Sequence, residues 1–378
     1  MDLLKDKKQF LRNMSVPLLF IVIISVGIPL SKYTGVYLLR EGLTRLVRNS
    51  FLVISLLIPV MAGMGINFAI TLGAMAGQIG IIFSQDWGLT GVGGLFVAMA
   101  LATPIAILLG SFAGHVLNKA RGREMITSMI LSFLISGFYQ FFMLFFCGGV
   151  IKFHDPNLIL SRGYGVISTV TLKAGRAFDD FIKFELWPGS GIYVPVFTIF
   201  LIVLACLFTV WFRKTKLGHD MRSVGQDQRV SNDAGMAVDH IRVQSIVIST
   251  VMACYGQIIY LQNIGTMNTT YGADQVSLFA AAALLVGGAS VSHASLPNVF
   301  IGVLLFHMMF IVMPVAGKTL TGNAMIGEYF RSFISYGVVA LALIMHSWAR
   351  NRDLADSRKQ MRKDNDDKSK ELKAKVNA

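Results

Sequence analysis

The chain contains 378 residues, of which 54% are hydrophobic and only 15% are charged. Soluble globular proteins carry about 25% charged residues, so this composition excludes an ordinary soluble enzyme and indicates a membrane protein. The net charge of +13 does not indicate nucleic-acid binding, because Lys and Arg concentrate between the apolar runs, as in the cytoplasmic loops of membrane proteins.

The apolar runs predict an all-α polytopic membrane protein, since a helix of about 20 apolar residues crosses the hydrocarbon core. We expect residues 1–13 to be cytoplasmic, 14–349 to form the transmembrane domain and 350–378 to form a charged cytoplasmic tail. The basic connector 32–50 is expected to lie on the outer surface as an amphipathic helix, and 149–190 is expected to be external. The ten predicted spans lie at about 14–31, 51–66, 67–84, 92–116, 125–148, 192–212, 243–263, 277–292, 296–316 and 332–349.

Two apolar regions are short and interrupted by Gly, Pro and polar residues, at 59–80 and 280–297. Because each falls early in its half of the chain, they predict two pseudo-symmetric halves with a solute path between them. A second interpretation stays open, in which the Gly-x-x-x-Gly pairs at 73–77 and 110–114 only allow close helix packing.

The segment 213–242 is a long polar region between two apolar runs. It uses about thirty residues where a turn needs only a few. We therefore expect one or two short cytoplasmic helices that dock onto a partner, with Gly218 and Gly235 ending helical segments. The residues expected to make this contact are Gly218, Asp220, Arg222, Gly225, Asp227, Arg229, Ser231, Asp233 and Gly235.

The sequence shows no catalytic or metal-binding pattern. Its three cysteines lie in apolar runs without a Cys-x-x-Cys pair, and no P-loop is present. The predicted spans within 51–85, 92–116, 126–148 and 243–263 contain no charged residue, which disfavours ion- or proton-coupled transport. A separate ATPase on the cytoplasmic face would then supply the energy. An ion-driven carrier and a membrane scaffold are the alternatives.

Amides and hydroxyls inside the predicted spans are candidates for a solute path. Such groups hydrogen-bond a neutral, hydroxylated solute without holding it by charge. Buried amides also pin helices together, so a structural role stays open for each. The candidates are Asn67, Thr71, Gln78, Thr127, Ser128, Gln140, Gln257 and Gln262.

The 213–242 segment resembles the cytoplasmic signature of permease subunits of bacterial ABC importers of the ribose and branched-chain amino acid type. It reads Lys-Thr-Lys-Leu-Gly at 214–218 and Arg-Ser-Val-Gly-Gln-Asp-Gln-Arg-Val-Ser-Asn-Asp-Ala-Gly-Met at 222–236. Asp227 stands where that family has Asn, and Met236 where it has Ile. The resemblance covers about residues 50–350.

Two further segments are similar to the nucleoside and simple-sugar branch of this family. Residues 67–78 resemble its Asn-Ile-Gly-x-Glu-Gly-Gln segment, with Ala76 in place of Glu. Residues 123–133 resemble its Glu-Val-Ile-x-Thr-Ile-Met-Leu-Asn segment, with Ser132 in place of Asn.

The resemblance implies the fold of a type II ABC importer permease, a transporter subunit and not an enzyme, in the bacterial cytoplasmic (inner) membrane. It implies no cofactor on this chain, because ATP would bind a partner subunit. The implied partners are an ABC ATPase, a second and different permease, an extracytoplasmic solute-binding protein, membrane lipid and a small solute, but no nucleic acid. The expected solute is a nucleoside or simple sugar, with a branched-chain amino acid as the alternative.

Overall fold

The computed structural model describes residues 2–187, 189 and 191–323 and scattered positions from 325 to 340, with side chains from residue 16 onward. The tail 350–378 and most of the predicted span 332–349 lie outside the described residues. The helices are α1 (Asp2–Ser31), α2 (Gly35–Ile54), α3 (Leu57–Met61), α4 (Ile70–Asp86), α5 (Gly91–Lys119), α6 (Glu124–Phe141), α7 (Ala177–Phe181), α8 (Val196–Phe212), α9 (Lys216–Gln226), α10 (Gln228–Asp233), α11 (Val238–Ile264), α12 (Val276–Val286) and α13 (Leu296–Thr321).

Short strands add a minor β component that the all-α prediction omitted. β1 (Thr169–Thr171) pairs with β4 (Thr266–Asn268), and β2 (Lys183–Glu185) pairs with β3 (Tyr193–Pro195), both antiparallel. The β1–β4 pair ties the 149–190 segment to the chain just beyond α11. This segment is therefore folded against the helix ends.

Several helices are long and apolar enough to cross a membrane. Within the described residues four qualify, namely α5, α6 with its π-helical end at Phe146, α11 and α13, and a fifth qualifies if α8 and α9 count as one bent span. Residues 16–31 of α1 and all of α12 are shorter apolar helices. The chain is a multi-pass membrane protein, while the count of ten spans and their orientation stay predictions.

The predicted second span, 51–66, is not one helix. The connector and the first residues of this span form α2, which is capped by the Thr34 side chain and ends at Ile54. Pro59 lacks an N–H and cannot donate to the Ser55 carbonyl. Ser249 Oγ on α11 donates to that carbonyl instead, at 2.8 Å. A tertiary hydrogen bond thus stabilises the irregular backbone.

Glycines let α4 and α5 lie directly against α11. A Cβ on Gly73 would come 2.2 Å from the Thr250 carbonyl oxygen, and one on Gly77 would come 2.8 Å from the Cys254 carbonyl oxygen. A Cβ on Gly110 would come 3.0 Å from Val247 Cα. Close packing is therefore one role of these pairs.

Both predicted interruptions are present. The first break, residues 62–69, separates α3 from α4, and the second break, residues 287–295, separates α12 from α13. They meet where a Cβ on Gly65 would lie 2.8 Å from Val291 Cγ1. The pseudo-symmetry of the two halves stays a prediction.

Candidate functional site

The 213–242 segment forms the two short helices α9 and α10. The chain bends by 72° between α8 and α9. The Thr215 hydroxyl accepts a hydrogen bond from Gly218 N at 3.2 Å and begins α9. The Asp227 carboxylate accepts from Arg229 N and Val230 N at 2.8 and 3.1 Å and begins α10. Local capping therefore fixes both helices.

The two glycines expected to end helical segments behave differently. Gly235 ends a helical segment as predicted, because it follows the end of α10 with a φ of +80°. The prediction is wrong for Gly218, which lies in the first turn of α9. A Cβ on Gly218 would come 2.1 Å from the Phe212 carbonyl oxygen. Its small size permits the sharp bend between α8 and α9.

Most of the predicted contact residues are on the surface, as a docking face requires. Ser231 is buried and donates to the Asp227 carbonyl at 2.8 Å, so it supports α10 from inside. Sequence reasoning missed Val230, an apolar side chain that is 64% exposed beside these polar groups. Gly225, Asp227, Arg229, Asp233 and Gly235 are exposed, Asp220 and Arg222 are half-buried, and Gly218 and Ser231 are buried.

At the C-terminal end of α9, the backbone of Gly225 lies against the backbone of α3 and of the first break. A Cβ on Gly225 would lie 2.4 Å from the Met61 carbonyl oxygen and 3.0 Å from Gly63 N. Beside this contact is a cavity of about 500 Å³, the α9 cavity. Among its lining residues are Arg213, Arg222, Gly225, Ser292, His293 and Ser295. The cavity is bounded by α9, α3 and the second break, so a shift of α9 reaches both interruptions.

Three of the predicted path residues maintain the first break. Asn67 Oδ1 accepts from Ala69 N at 2.9 Å, and Thr71 Oγ1 donates to the Phe68 carbonyl at 3.2 Å. Ser128 Oγ, on α6, accepts from Phe68 N at 3.2 Å. All three side chains are buried, so their described contacts are structural.

Gln257 has the surroundings expected of a solute-binding group. It is fully buried, lines a cavity of about 300 Å³ and, among the described residues, has no partner for either atom of its amide. We call this space the Gln257 cavity. Gln78 is also fully buried and unpartnered, and its Nε2 would lie 2.7 Å from a Cβ on Gly272 in the cavity wall. A buried unpartnered amide is costly unless something binds it.

The other predicted path residues lie outside the Gln257 cavity. Gln262 Nε2 donates to Asp179 Oδ1 at 3.0 Å. Thr127 and Gln140 are half-buried on α6 and line neither the α9 cavity nor the Gln257 cavity.

Sequence reasoning also missed the cations and aromatic rings of the Gln257 cavity. Arg45 and Arg48 line it, as do Tyr260, Tyr271 and Phe279. The two arginines lie in the basic connector 32–50, which violates the positive-inside pattern. That violation was the signal in the sequence that could have identified them. That connector is part of α2, which brings both arginines against α11.

Comparisons with known proteins relate the chain to transporter permeases. The chain matches the family model described as "Branched-chain amino acid transport system / permease component" over residues 38–345. It is 25% identical over 189 residues, 48% of this chain and 52% of the relative, to the probable ABC transporter permease protein YphD of Escherichia coli (strain K12). It is 22% identical over 232 residues, 59% of this chain and 57% of the relative, to the nucleoside ABC transporter permease protein NupB of Lactococcus lactis subsp. cremoris (strain MG1363).

The chain spans just over half the length of these two curated relatives. No solved structure matches it significantly. Both relatives are named as permeases, which confirms the predicted resemblance and the prediction that the chain is not an enzyme. Since the family model covers most of the chain, this protein belongs to the branched-chain amino acid transport system / permease component family.

Proposed function

We propose that this chain is the membrane-spanning permease subunit of an ATP-driven importer in a bacterial cytoplasmic membrane. Its solute is a neutral, hydroxyl-bearing small molecule, a nucleoside or a simple sugar, delivered by an extracytoplasmic solute-binding protein. A separate ATPase subunit binds the 213–242 segment, and a second, different permease completes the path. The observation that carries the proposal is the Gln257 cavity, where an unpartnered buried amide lies among aromatic rings.

The lining of the Gln257 cavity favours a nucleoside over a simple sugar. Tyr260, Tyr271 and Phe279 supply aromatic faces for a flat base. The Gln257 amide supplies one acceptor and one donor group for ring nitrogens or hydroxyls. The similarity to NupB, which is named as a nucleoside permease, agrees with this choice.

A branched-chain amino acid is the second candidate. The family description favours it, and Arg45 and Arg48 would suit its carboxylate. Its ammonium group would also need a partner of negative charge. None of the residues that line the Gln257 cavity is Asp or Glu, so the cavity offers that ammonium group no partner of opposite charge.

The contact between Gly225 and the first break supports coupling to an ATPase. A displaced α9 cannot approach this break further, because backbone already touches backbone. Force on the exposed face of α9 and α10 would therefore pass into α3 and the first break. Packed elements transmit such shifts as rigid bodies.

The solute is tested with the complex isolated from its own host through a tag on this chain and reconstituted into proteoliposomes. We expect ATP-dependent, saturable uptake of a labelled nucleoside when the co-purified binding protein is present. Gln257→Met should lower uptake at least several-fold while keeping or raising thermal stability, since it removes an unpartnered polar group. Leucine uptake without nucleoside or sugar uptake would refute the proposed solute.

Coupling is tested with Gly225→Ala in the same complex. The new methyl group would push α9 away from Met61 and Gly63, so solute-stimulated ATP hydrolysis should fall while the ATPase still co-purifies. Gly137→Ala is the matched control, because nothing lies within 4 Å of a Cβ at that position on α6. Normal stimulation in Gly225→Ala would show that this contact is not the coupling route.

A further inference from the structure

The Gln257 cavity contains a guanidinium group that one side of the protein holds in place. Arg48 lies with its guanidinium carbon 5.2 Å from the centre of the Tyr260 ring. Its Nη1 is 3.5 Å from Asn263 Oδ1. Its Nε is buried and has no hydrogen-bond partner among the described residues. One edge of the guanidinium is thus engaged, and the buried Nε–H on another edge has no partner among the described residues.

A chain of hydrogen bonds fixes the orientation of Arg48. Asn263 Nδ2 donates to Asp179 Oδ2 at 2.6 Å, which leaves Asn263 Oδ1 for the arginine. Asp179 Oδ1 accepts in turn from Thr198 Oγ1 at 2.6 Å and from Gln262 Nε2 at 3.0 Å. Three helices, α7, α8 and α11, therefore position this side chain before any solute arrives.

The chemistry of a guanidinium restricts which nucleobase it recognises. Its N–H donors form a rigid planar fork that matches two neighbouring acceptors. In guanine, and equally in hypoxanthine, O6 and N7 are such a pair, whereas adenine presents N7 beside an amino donor and cytosine presents an amino group. The ring of Tyr260 behind Arg48 also limits how far the fork can turn.

The Gln257 amide complements this arrangement. Its oxygen and nitrogen are both unpartnered, so it can accept from an N–H and donate to an acceptor on the same solute. A 6-oxopurine carries an N–H next to its O6 group. Arg48 and Gln257 line the same cavity of about 300 Å³, so one base can meet both groups.

We propose that Arg48 is the specificity-determining residue of this permease and that its preferred solutes are 6-oxopurine nucleosides, such as inosine and guanosine. The inference rests on the proposed function and narrows it to one chemical class. Arg48 contacts O6 and N7, Gln257 contacts the neighbouring edge of the six-membered ring at N1–H, and the aromatic residues stack on the base.

The test measures uptake of labelled inosine by the reconstituted complex against unlabelled competitors. Inosine and guanosine should compete at least about tenfold better than adenosine or uridine, the size expected for one bidentate guanidinium contact. Arg48→Lys should reduce inosine uptake at least about tenfold more than it reduces adenosine uptake. Arg40→Lys, at an exposed position of the same helix, is the control and should change neither.

A second measurement needs no variant and so does not depend on the folding of one. 7-Deazainosine keeps O6 but lacks the N7 acceptor, and it should compete at least about tenfold more weakly than inosine with the unaltered complex. Equal competition by adenosine, uridine and inosine would overturn this inference while the proposed function stands. So would an equal loss of all nucleosides in Arg48→Lys. Failure to transport any nucleoside would overturn the nucleoside assignment itself.

Discussion

The two breaks in the helical chain differ in what holds them. Residues 64–69 of the first break are buried, and α6 clamps them, since Phe68 N donates to Ser128 Oγ and the Phe68 carbonyl accepts from Ser132 Oγ at 2.8 Å. The hydrogen bonds described for the second break come from its own neighbourhood. Asn298 Nδ2 donates to the Gly287 carbonyl at 2.7 Å, and His293 N donates to Ser290 Oγ at 2.9 Å.

This difference indicates which break moves more readily. Irregular backbone that a separate helix clamps can shift only with that helix, whereas a partly exposed turn held by local bonds opens at lower cost. The first break contacts α9 through Gly63, and it contacts the second break through Gly65. We therefore expect the first break to act as a rigid relay and the second as the element that rearranges.

The largest effect should come from the ion pair that anchors α6, the helix that clamps the first break. Arg242 is fully buried, and its Nη2 donates to Glu124 Oε1 at 2.6 Å. Glu124→Ala leaves a buried cation without its counterion and should lower the free energy of unfolding by about 3–5 kcal/mol. Chemical denaturation in detergent measures this change in the free energy of unfolding. Arg121→Ala breaks the exposed pair with Asp239 and should cost under about 1 kcal/mol; equal losses would contradict the assigned role.

The next largest effect concerns the contact between the breaks. Gly65→Ala places a methyl group against Val291 and also strains a residue with a φ of +71°. The backbone strain costs about 1–2 kcal/mol. Gly122→Ala is matched for that strain, because its φ is +82° and nothing lies within 4 Å of its Cβ position. Solute-stimulated ATP hydrolysis should fall only in Gly65→Ala. An equal fall in both variants would show that the contact between the breaks is not needed for coupling.

A smaller effect is expected from loosening the clamp itself. Ser132→Ala removes one of the two side-chain donors to the buried Phe68 carbonyl, the one from α6, and should cost about 1 kcal/mol. Hydrogen exchange should accelerate at the amides of residues 68–70. Ser25→Ala, whose hydroxyl donates to a carbonyl on an exposed face of α1, should leave that exchange unaltered. Unchanged protection in Ser132→Ala would mean that α6 does not clamp the first break.

The smallest effect should come from the second break. Ser290→Ala removes a hydrogen bond in a partly exposed turn, where water can replace the lost partner. The free energy of unfolding should change by less than about 0.5 kcal/mol, and the amides of 288–294 should exchange faster than those of 66–69 even before mutation. A loss as large as that of Ser132→Ala would abolish the distinction between the breaks.

Local patterns in the chain were sufficient for the membrane class, the helical 213–242 segment and the positions of both breaks. Each depends on the length of an apolar run, on a cap or on Gly and Pro, and these act within a few residues. The same reasoning misjudged Gly218, because its constraint comes from the carbonyl of Phe212 across a bend. Sequence reasoning also predicted one span where the structure has α2 and α3. The hydrogen bond from Ser249 to Ser55, which stabilises the irregular backbone between these helices, joins distant parts of the chain and leaves no local pattern.

The sequence by itself therefore determined the class of protein and its family signature, and it supplied a set of candidate polar residues for the solute path. Only the tertiary structure decided which of them are left beside a cavity without a hydrogen-bond partner. Gln257 and Gln262 lie on the same helix, yet one faces a cavity unpartnered and the other binds Asp179. The physical reason is that the hydrogen-bond partner of a buried amide comes from another element of the fold. The local sequence of α11 does not indicate that α7 packs beside Gln262.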